Sequence, residues 1–546
     1  MKLKKNTFIQ GAFIATLGIV ISKILGIIYV IPFYAIIGDQ GGALYGYAYN
    51  IYSIFLGISQ AGLPLAMSKL ISEYNTLEYY ETKERAYKIG KTFLTIIGIV
   101  CFLVLFIFAP QIADLIIGGV KDGNTPEDIV FVIRIISTAI LVVPILSVSR
   151  GYLQGHKFIS PTPISQVIEQ LVRVLIIIVG SYLMIKVFDL PLKLAVGCAV
   201  FAATIGALCS YLYIHHKIKT NKEQLVKEKV KKEPKITTGE ILKQLLIYAI
   251  PFVMIDLFRS FYNSVDVVTL VKSLVNNFGY ATKDAETVMS VISTWGLKLN
   301  MIIISIVSGM MTSLIPNLTS SFVKKDFADV SKKINQTISI ILALALPMAV
   351  GLSFVTPLVW KVFYGASTYG PITYRYLVFV AFATTLFTSF TTILQLLKEY
   401  KMVFISLIVG FLTKLVLNVP MMFLFDSMGI YPFYGAITAT ILGFVVSAMI
   451  SAIYVSVKFK ISYSETFREF KHIIIGVLLM LTSLFLLELV IPLNVGSRVL
   501  AFVFAMIYAL VGGAVYIFYT YKSGTLQHIF GQAFFDKILR KLRIKK

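Results

Sequence analysis

The chain has 546 residues, of which 57% are hydrophobic and 14% charged, with a mean hydropathy of +0.83 and a net charge of +23. Soluble domains carry about 25% charged residues, so this composition excludes a string of water-soluble globules. It implies an all-α, polytopic membrane protein, in which the basic excess reports which side of a bilayer a loop occupies rather than an affinity for nucleic acid.

A spanning helix needs about 20 mainly apolar residues. About fourteen such runs are present, at roughly 8–37, 43–71, 89–110, 127–149, 162–187, 191–215, 240–273, 286–318, 334–356, 372–397, 402–425, 432–457, 470–492 and 496–520. The runs are continuous rather than alternating, which excludes a β-barrel. The first run extends far past a signal-peptide core and has no small-residue cleavage site, so it reads as the first transmembrane helix.

In that first span, Gly18, Ser22 and Gly26 make a face of small residues that admits a close neighbour. Lys23 lies beside it, deep in the span, and Pro32 frees a backbone carbonyl and permits a kink. The segment reads as a bending gate helix with a cation beside the hinge, or else Lys23 snorkels to the interface. In the second span Tyr45, Tyr49 and Tyr52 share a face, with Asn50 and Gln60 nearby. They form either an interfacial aromatic belt or a stacking surface for sugar rings or an apolar tail. In the fifth span Glu169 and Arg173 are four apart and read as a structural ion pair.

Residues 1–216 are expected to form an N-terminal six-helix lobe, followed by a basic cytoplasmic linker, 217–239. A second six-helix lobe covers 240–460, two additional transmembrane helices cover 461–521, and a basic amphipathic tail, 522–546, suits anionic inner-leaflet lipids. The halves echo each other weakly in AGLPLAMSKLISEY (Ala61–Tyr74) and SGMMTSLIPNLTSSF (Ser308–Phe322). Internal repeats of this kind are usual in transporters.

Ionisable groups at bilayer depth are costly and mark wet cavities or partners. The seventh span places Asp256, Arg259, Asn263 and Asp266 at intervals of 3, 4 and 3, on one helical stripe. The stripe is either a self-neutralising cluster or a cavity wall. In the second case Arg259 meets an anionic substrate, and Asp256, Asn263 and Asp266 are candidates for ion coupling. The eighth span repeats the pattern with Thr294, Lys298, Met301, Ser305, Ser308 and Thr312, and Pro316 ends or kinks it. Lys414 and Asn418 share a face of the eleventh span.

With the N-terminus inside, the connections after even-numbered spans are strongly basic, including Lys83, Arg85, Arg150 and the 217–239 linker. The other side holds only Lys121, Lys186, Lys193, Lys272, Lys283, Lys361, Arg375 and Arg498. Both termini are therefore expected in the cytoplasm. HExxH, GxxxxGK[ST], GxSxG and GxGxxG are all missing, and the three cysteines lie singly in apolar runs. The expectation is a transporter, with no catalytic residues, cofactor or metal site.

Three elements, SKxLG, GxxGxALYxxAY and GxPxAxSKLxSE, occur together between Ser22 and Glu73. With WGLKLNMIIISIVSGMMTSLIPNL they resemble the polysaccharide biosynthesis and export group of the MOP superfamily. That superfamily also holds lipid II flippases of the MurJ type, stage V sporulation proteins, Wzx-type flippases and MATE drug exporters. The resemblance implies two six-helix lobes with alternating access, in the bacterial cytoplasmic membrane. The implied cargo is a lipid-linked oligosaccharide of the undecaprenyl pyrophosphate type, lipid II first among them. Another undecaprenyl-linked precursor, or a MATE-type cation-coupled drug antiport, is the alternative. It also implies cations serving the pyrophosphate, at Lys23 and Lys298. This chain departs from the group near Tyr29 and Gly57, where flippases carry arginines, and Arg259 is the candidate compensation. Coupling to Na+, H+ or membrane potential, and a monomer without nucleic acid, complete the expectation.

Overall fold

The computed structural model describes residues 22–60, 62–226 and 233–530, and every element among them is helical. In chain order the helices are α1 (Ser22–Ile28), α2 (Val30–Gln60), α3 (Leu63–Thr76), α4 (Tyr80–Ile107), α5 (Ala109–Ile117), α6 (Pro126–Ser137) and α7 (Ala139–Gly155). They continue with α8 (Pro161–Tyr182), α9 (Leu192–Thr220), α10 (Lys222–Leu225), α11 (Thr238–Phe278), α12 (Thr282–Ser290), α13 (Gly296–Val323) and α14 (Phe327–Phe354). The remainder are α15 (Thr356–Phe363), α16 (Gly370–Leu396), α17 (Tyr400–Ser427), α18 (Pro432–Phe459), α19 (Ser464–Glu488), α20 (Arg498–Lys522) and α21 (Thr525–Phe530). Short π turns extend α8 at Leu183–Val187 and join α12 to α13 at Val291–Trp295.

Eleven helices among the described residues are long and apolar enough to cross a membrane, or thirteen if two bent pairs each count as one span. That is close to the fourteen expected, and Gly38 accounts for part of the difference. It sits inside α2 with φ 63° and ψ −162°, a left-handed conformation open to glycine, and there the first expected span passes into the second. Large apolar side chains such as Val457, Phe467, Leu489 and Val499 are more than two-thirds exposed, as faces turned to lipid would be.

The chain divides into two compact units, residues 1–295 and 296–546. This division lies inside the eighth span, downstream of the 217–239 linker at which the lobes were expected to separate. The reason is packing: α11 lies against α2, α3, α4 and α5, so the seventh span is built into the first unit. A buried cluster that includes Met67, Leu146, Tyr152, Leu245 and Ala249 ties α3, α7 and α11 together. In the second unit α18 packs on α16 and α17, α14 on α13, α16 and α19, and α20 on α15 and α19. The contact of α17 with α18 is very close at Gly435, where a Cβ would lie 2.3 Å from the carbonyl oxygen of Met421.

Two basic residues that sequence places among cytoplasmic loop charges are buried instead. Lys83 is fully buried and donates to the carbonyl oxygen of Leu225 at 2.7 Å. Arg150 is 4% exposed inside α7. Each finds acceptors far along the chain, Leu225 for Lys83 and Ser210 for Arg150, so sequence alone does not show that they are buried. Of the expected basic tail, residues 531–546 lie outside the described residues.

Candidate functional site

The α1–α2 segment bends by 49° at Tyr29. Pro32 explains the place: without an N–H it cannot bond the carbonyl of Ile28, and its ring crowds that carbonyl. Hydrogen bonds resume with Phe33 N to Tyr29 O at 3.1 Å. Lys23 is half-buried between one and two turns before the bend, with no hydrogen bond or ion pair among the described residues. Gly26 of the same helix faces Gln170 of α8, 3.6 Å from where a Cβ would stand. Gly18 lies outside the described residues.

Tyr45, Tyr49 and Tyr52 form one aromatic column. Tyr45 stacks on Tyr49 at 5.1 Å, and Tyr52 meets Tyr49 edge-on at 5.6 Å. Tyr45 and Tyr52 are 4% and 1% exposed, so the column is an interior feature and only Tyr49 keeps open ring surface. The column ends on a charged network. Arg173 donates to Tyr49 Oη at 3.2 Å and to Glu169 Oε1 at 2.8 Å. Glu169 Oε2 accepts from Arg150 at 2.9 Å, and Arg150 also donates to Ser165 and Ser210, each at 2.8 Å. The expected Glu169–Arg173 pair is thus part of an Arg–Glu–Arg triad carrying one net positive charge. Asn50 is buried and donates to Gly46 O of its own helix at 2.8 Å. The side chain of Gln60 lies outside the described residues.

On α11 the four polar residues of the stripe differ in burial. Arg259 and Asn263 are exposed, Asp256 is half-buried and Asp266 is 5% exposed. Asp256 and Arg259 interact electrostatically, but no ion pair within 4.0 Å joins them. Arg259 is therefore not locked by its neighbours on the stripe. The crossing with α2 occurs here: Gly57 lies against the Asp256 backbone, and Ser260 Oγ donates to Ser53 O at 3.4 Å. The helix itself bends by 43° between Ile250 and Phe252, at Pro251.

A further acidic residue was not singled out from sequence because it stands at the edge of a span. Glu286 of α12 is fully buried, and its Oε1 accepts from Asn124 N and Nδ2, each at 2.9 Å. Asn124 Nδ2 also donates to Gln40 O at 3.1 Å. Thr294 Oγ1 donates to Gly42 O at 2.9 Å, and Trp295 packs edge-on against Phe33 and Tyr34. The GxxGxALY stretch is thereby clasped by α12 and the 118–125 loop. Its glycines serve this approach, since a Cβ on Gly42 would stand 2.2 Å from Trp295 Nε1.

Lys298 belongs to the second unit and is half-buried. The side chains of Ser308 and Thr312, its expected companions, lie outside the described residues. Lys414 is fully buried and donates to Thr440 Oγ1, with buried Asn418 one turn on. The same unit holds a cavity of 470 Å³ walled by apolar side chains, among them Pro347, Met348, Leu484 and Ile517.

The family described as "Polysaccharide biosynthesis protein" matches residues 8–322. Over 538 residues, 96% of this chain and 97% of the relative, the sequence is 34% identical to the lipid II flippase MurJ of Bacillus subtilis (strain 168). It is 25% identical over 212 residues, 39% of each chain, to stage V sporulation protein B of the same organism. Among solved structures, a lipid II flippase MurJ in an inward closed conformation matches with a TM-score of 0.65 at 16% identity, covering 94% of this chain and 99% of the other. An inward-facing multidrug resistance MATE transporter of the MOP superfamily matches with a TM-score of 0.64 at 15% identity, covering 82% and 98%. These structural matches show a shared fold.

Proposed function

The chain belongs to the polysaccharide biosynthesis protein family, and from that premise we propose that it is a flippase for a lipid-linked oligosaccharide, lipid II above all, serving peptidoglycan synthesis. The observation that carries this reading is the 34% identity to a lipid II flippase over almost the full length of both chains.

The chemistry of such a cargo sets the task. A pyrophosphate must leave the aqueous face and meet positive charge in a medium of low dielectric, where pairing is strong. Lys23 and Arg259 suit this role, because neither is held by an ion pair among the described residues. Lys298 of the eighth span is a further candidate cation for the same role. The open face of Tyr49 suits a sugar ring, with Tyr52 and Asn50 behind it and Gln60 further along the helix. The undecaprenyl tail stays in lipid. Bends in the first and seventh spans supply places where alternating access can flex. Asp256, Asn263 and Asp266 are the candidates for coupling to Na+ or H+, while the membrane potential acting on a cationic cavity is the other source of drive. The chain would act as a monomer in the cytoplasmic membrane, with both termini inside and its basic tail on anionic lipids.

The test is growth of a flippase-depleted strain. The wild-type chain should restore growth and clear the lipid-linked precursor from the inner leaflet, whereas Lys23→Ala with Lys298→Ala, or Arg259→Ala, should not. Full rescue by those variants would overturn the assigned site. Accumulation of a different undecaprenyl-linked precursor on depletion would replace lipid II by that cargo. Export of cationic dyes would favour a MATE-type antiport.

A further inference from the structure

Few basic residues are expected on the side opposite the linker, yet three of those eight meet at one end of the second unit. Lys361 and Arg375 line a cavity of 630 Å³ together with Ser367, Tyr431, Tyr434 and Asn494. No Asp or Glu lines it. Arg498 reaches the same wall: its guanidinium lies over Gly365, where a Cβ would come within 2.9 Å of Nη2. Gly365 also has φ 83°, so this position favours glycine both for conformation and for room. Lys361, Arg375 and Arg498 have no ion pair among the described residues.

The frame around these cations is firm. Trp360, next to Lys361, is fully buried and packs against Tyr364 at 4.5 Å between ring centroids. Gly370 lies so near that a Cβ would stand 2.3 Å from the Trp360 ring. Across the cavity Tyr434 Oη donates to Ile372 O at 2.9 Å, and the exposed Tyr431 ring meets Tyr434 edge-on. Like charges held together on such a frame repel one another unless an anion joins them. Guanidinium and ammonium groups are the donors that pair most strongly with phosphate oxygens. The exposed tyrosine offers a ring face beside the charge.

We propose that this cavity is a binding site for a phosphate-ester anion, formed by Lys361, Arg375 and Arg498. It is separate from the residues assigned above to the pyrophosphate of a cargo, and it stands whatever that cargo is. The anion has two sources, a phospholipid headgroup at the membrane surface or a water-soluble phosphorylated saccharide, and the same cations recognise both.

The test uses the full chain in nanodiscs. Tryptophan fluorescence, excited selectively, comes from only two residues, Trp295 and Trp360, and Trp360 adjoins the site. In phosphatidylcholine discs, glucose 1-phosphate and inorganic pyrophosphate are titrated. In parallel, phosphatidylglycerol replaces a rising fraction of the lipid. Saturable binding is expected in at least one arm. It should weaken at least tenfold in Lys361→Gln/Arg375→Gln and in Arg498→Gln, persist in Lys361→Arg, and be unchanged in Lys283→Gln. Saturation by a soluble probe identifies a soluble ligand, and saturation by phosphatidylglycerol alone identifies a headgroup. If neither arm saturates, or the double variant binds as the wild type does, the proposal is wrong. Should the double variant fail to fold, Arg375→Gln alone, a change at an exposed side chain, decides.

Discussion

Changing Glu169 to Gln isolates the electrostatics of the Arg150–Glu169–Arg173 triad with almost no change of shape. Glu169 accepts charge-assisted hydrogen bonds of 2.9 Å from Arg150 and 2.8 Å from Arg173. Its side chain is 14% exposed, Arg150 5% and Arg173 20%. Hydrogen bonds to charged groups contribute about 1.5–3 kcal/mol each, so two amount to about 3–6 kcal/mol. Breaking a buried pair by removing one partner costs about 3–5 kcal/mol. The partial exposure of Arg173 argues for the lower end, about 3 kcal/mol. A loss of that size should lower the melting midpoint of the purified chain by an amount on the order of 3 °C, measured by thermal unfolding in detergent. Replacing all three residues together, by Arg150→Met, Glu169→Leu and Arg173→Met, removes the stranded charges as well as the bonds. It should recover most of the loss, because buried ion triads are often replaceable by apolar groups. A Glu169→Gln chain that melts with the wild type, or a triple variant worse than Glu169→Gln, would refute the reasoning.

At Gly435 a methyl group would strike the backbone of α17, so Gly435→Ala should destabilise by about 1–3 kcal/mol. Gly513→Ala, with nothing within 4 Å, should stabilise α20 by about 0.5–1 kcal/mol; melting of the two variants checks both. Pro32→Ala restores a donor for the Ile28 carbonyl and should straighten the bend at Tyr29. Transport, read as precursor clearance in the depleted strain, should then fall about tenfold, equivalent to about 1.4 kcal/mol in the barrier, with the fold retained. Burial pushes the Glu399 carboxyl up, but hydrogen bonds from Lys458 and Tyr454 outweigh it and hold the group below its usual range. A carboxyl depressed on folding stabilises above its unfolded value and loses that contribution as the pH falls through the folded one. The stability difference between wild type and Lys458→Met should therefore be constant above about pH 5 and vanish in stronger acid, as pH-dependent melting would show.

Much of this architecture is legible in the sequence because lipid imposes it. A run of some 20 apolar residues has one structural meaning in a bilayer, and Pro32 marks its bend through the donor it lacks. The α11 stripe stands out by its spacing, but spacing does not give the split in burial, with Arg259 and Asn263 exposed and Asp266 buried. Arg150 and Lys83 were not legible. A cation near the end of an apolar run looks the same whether its head reaches water or turns inward, and the choice depends on acceptors such as Ser210, 60 residues away, and Leu225, 142 away. Glu286 was hidden by its place at a span edge. Nor could periodicity reveal that Tyr52 is buried, because a helical face does not say whether it meets lipid, cavity or protein. The π turn at Val291–Trp295 similarly interrupts the register on which the eighth-span stripe was drawn.

The packing of α11 into the first unit has a consequence for biogenesis. Polypeptide leaves the ribosome from its N-terminus, and a chain released after the linker would present α2, α3 and α4 without the helix that covers them. Thr82 and Arg85 at the α4 N-terminus take their partners, Glu233 and Ile236, from the end of the linker that leads directly into α11, so those contacts depend on α11 being in place. The first unit thus matures only when the chain has been threaded as far as Trp295. A nascent intermediate that ends before α11 would be a ready target for membrane-protein quality control, and its lifetime would depend on how quickly α11 is inserted.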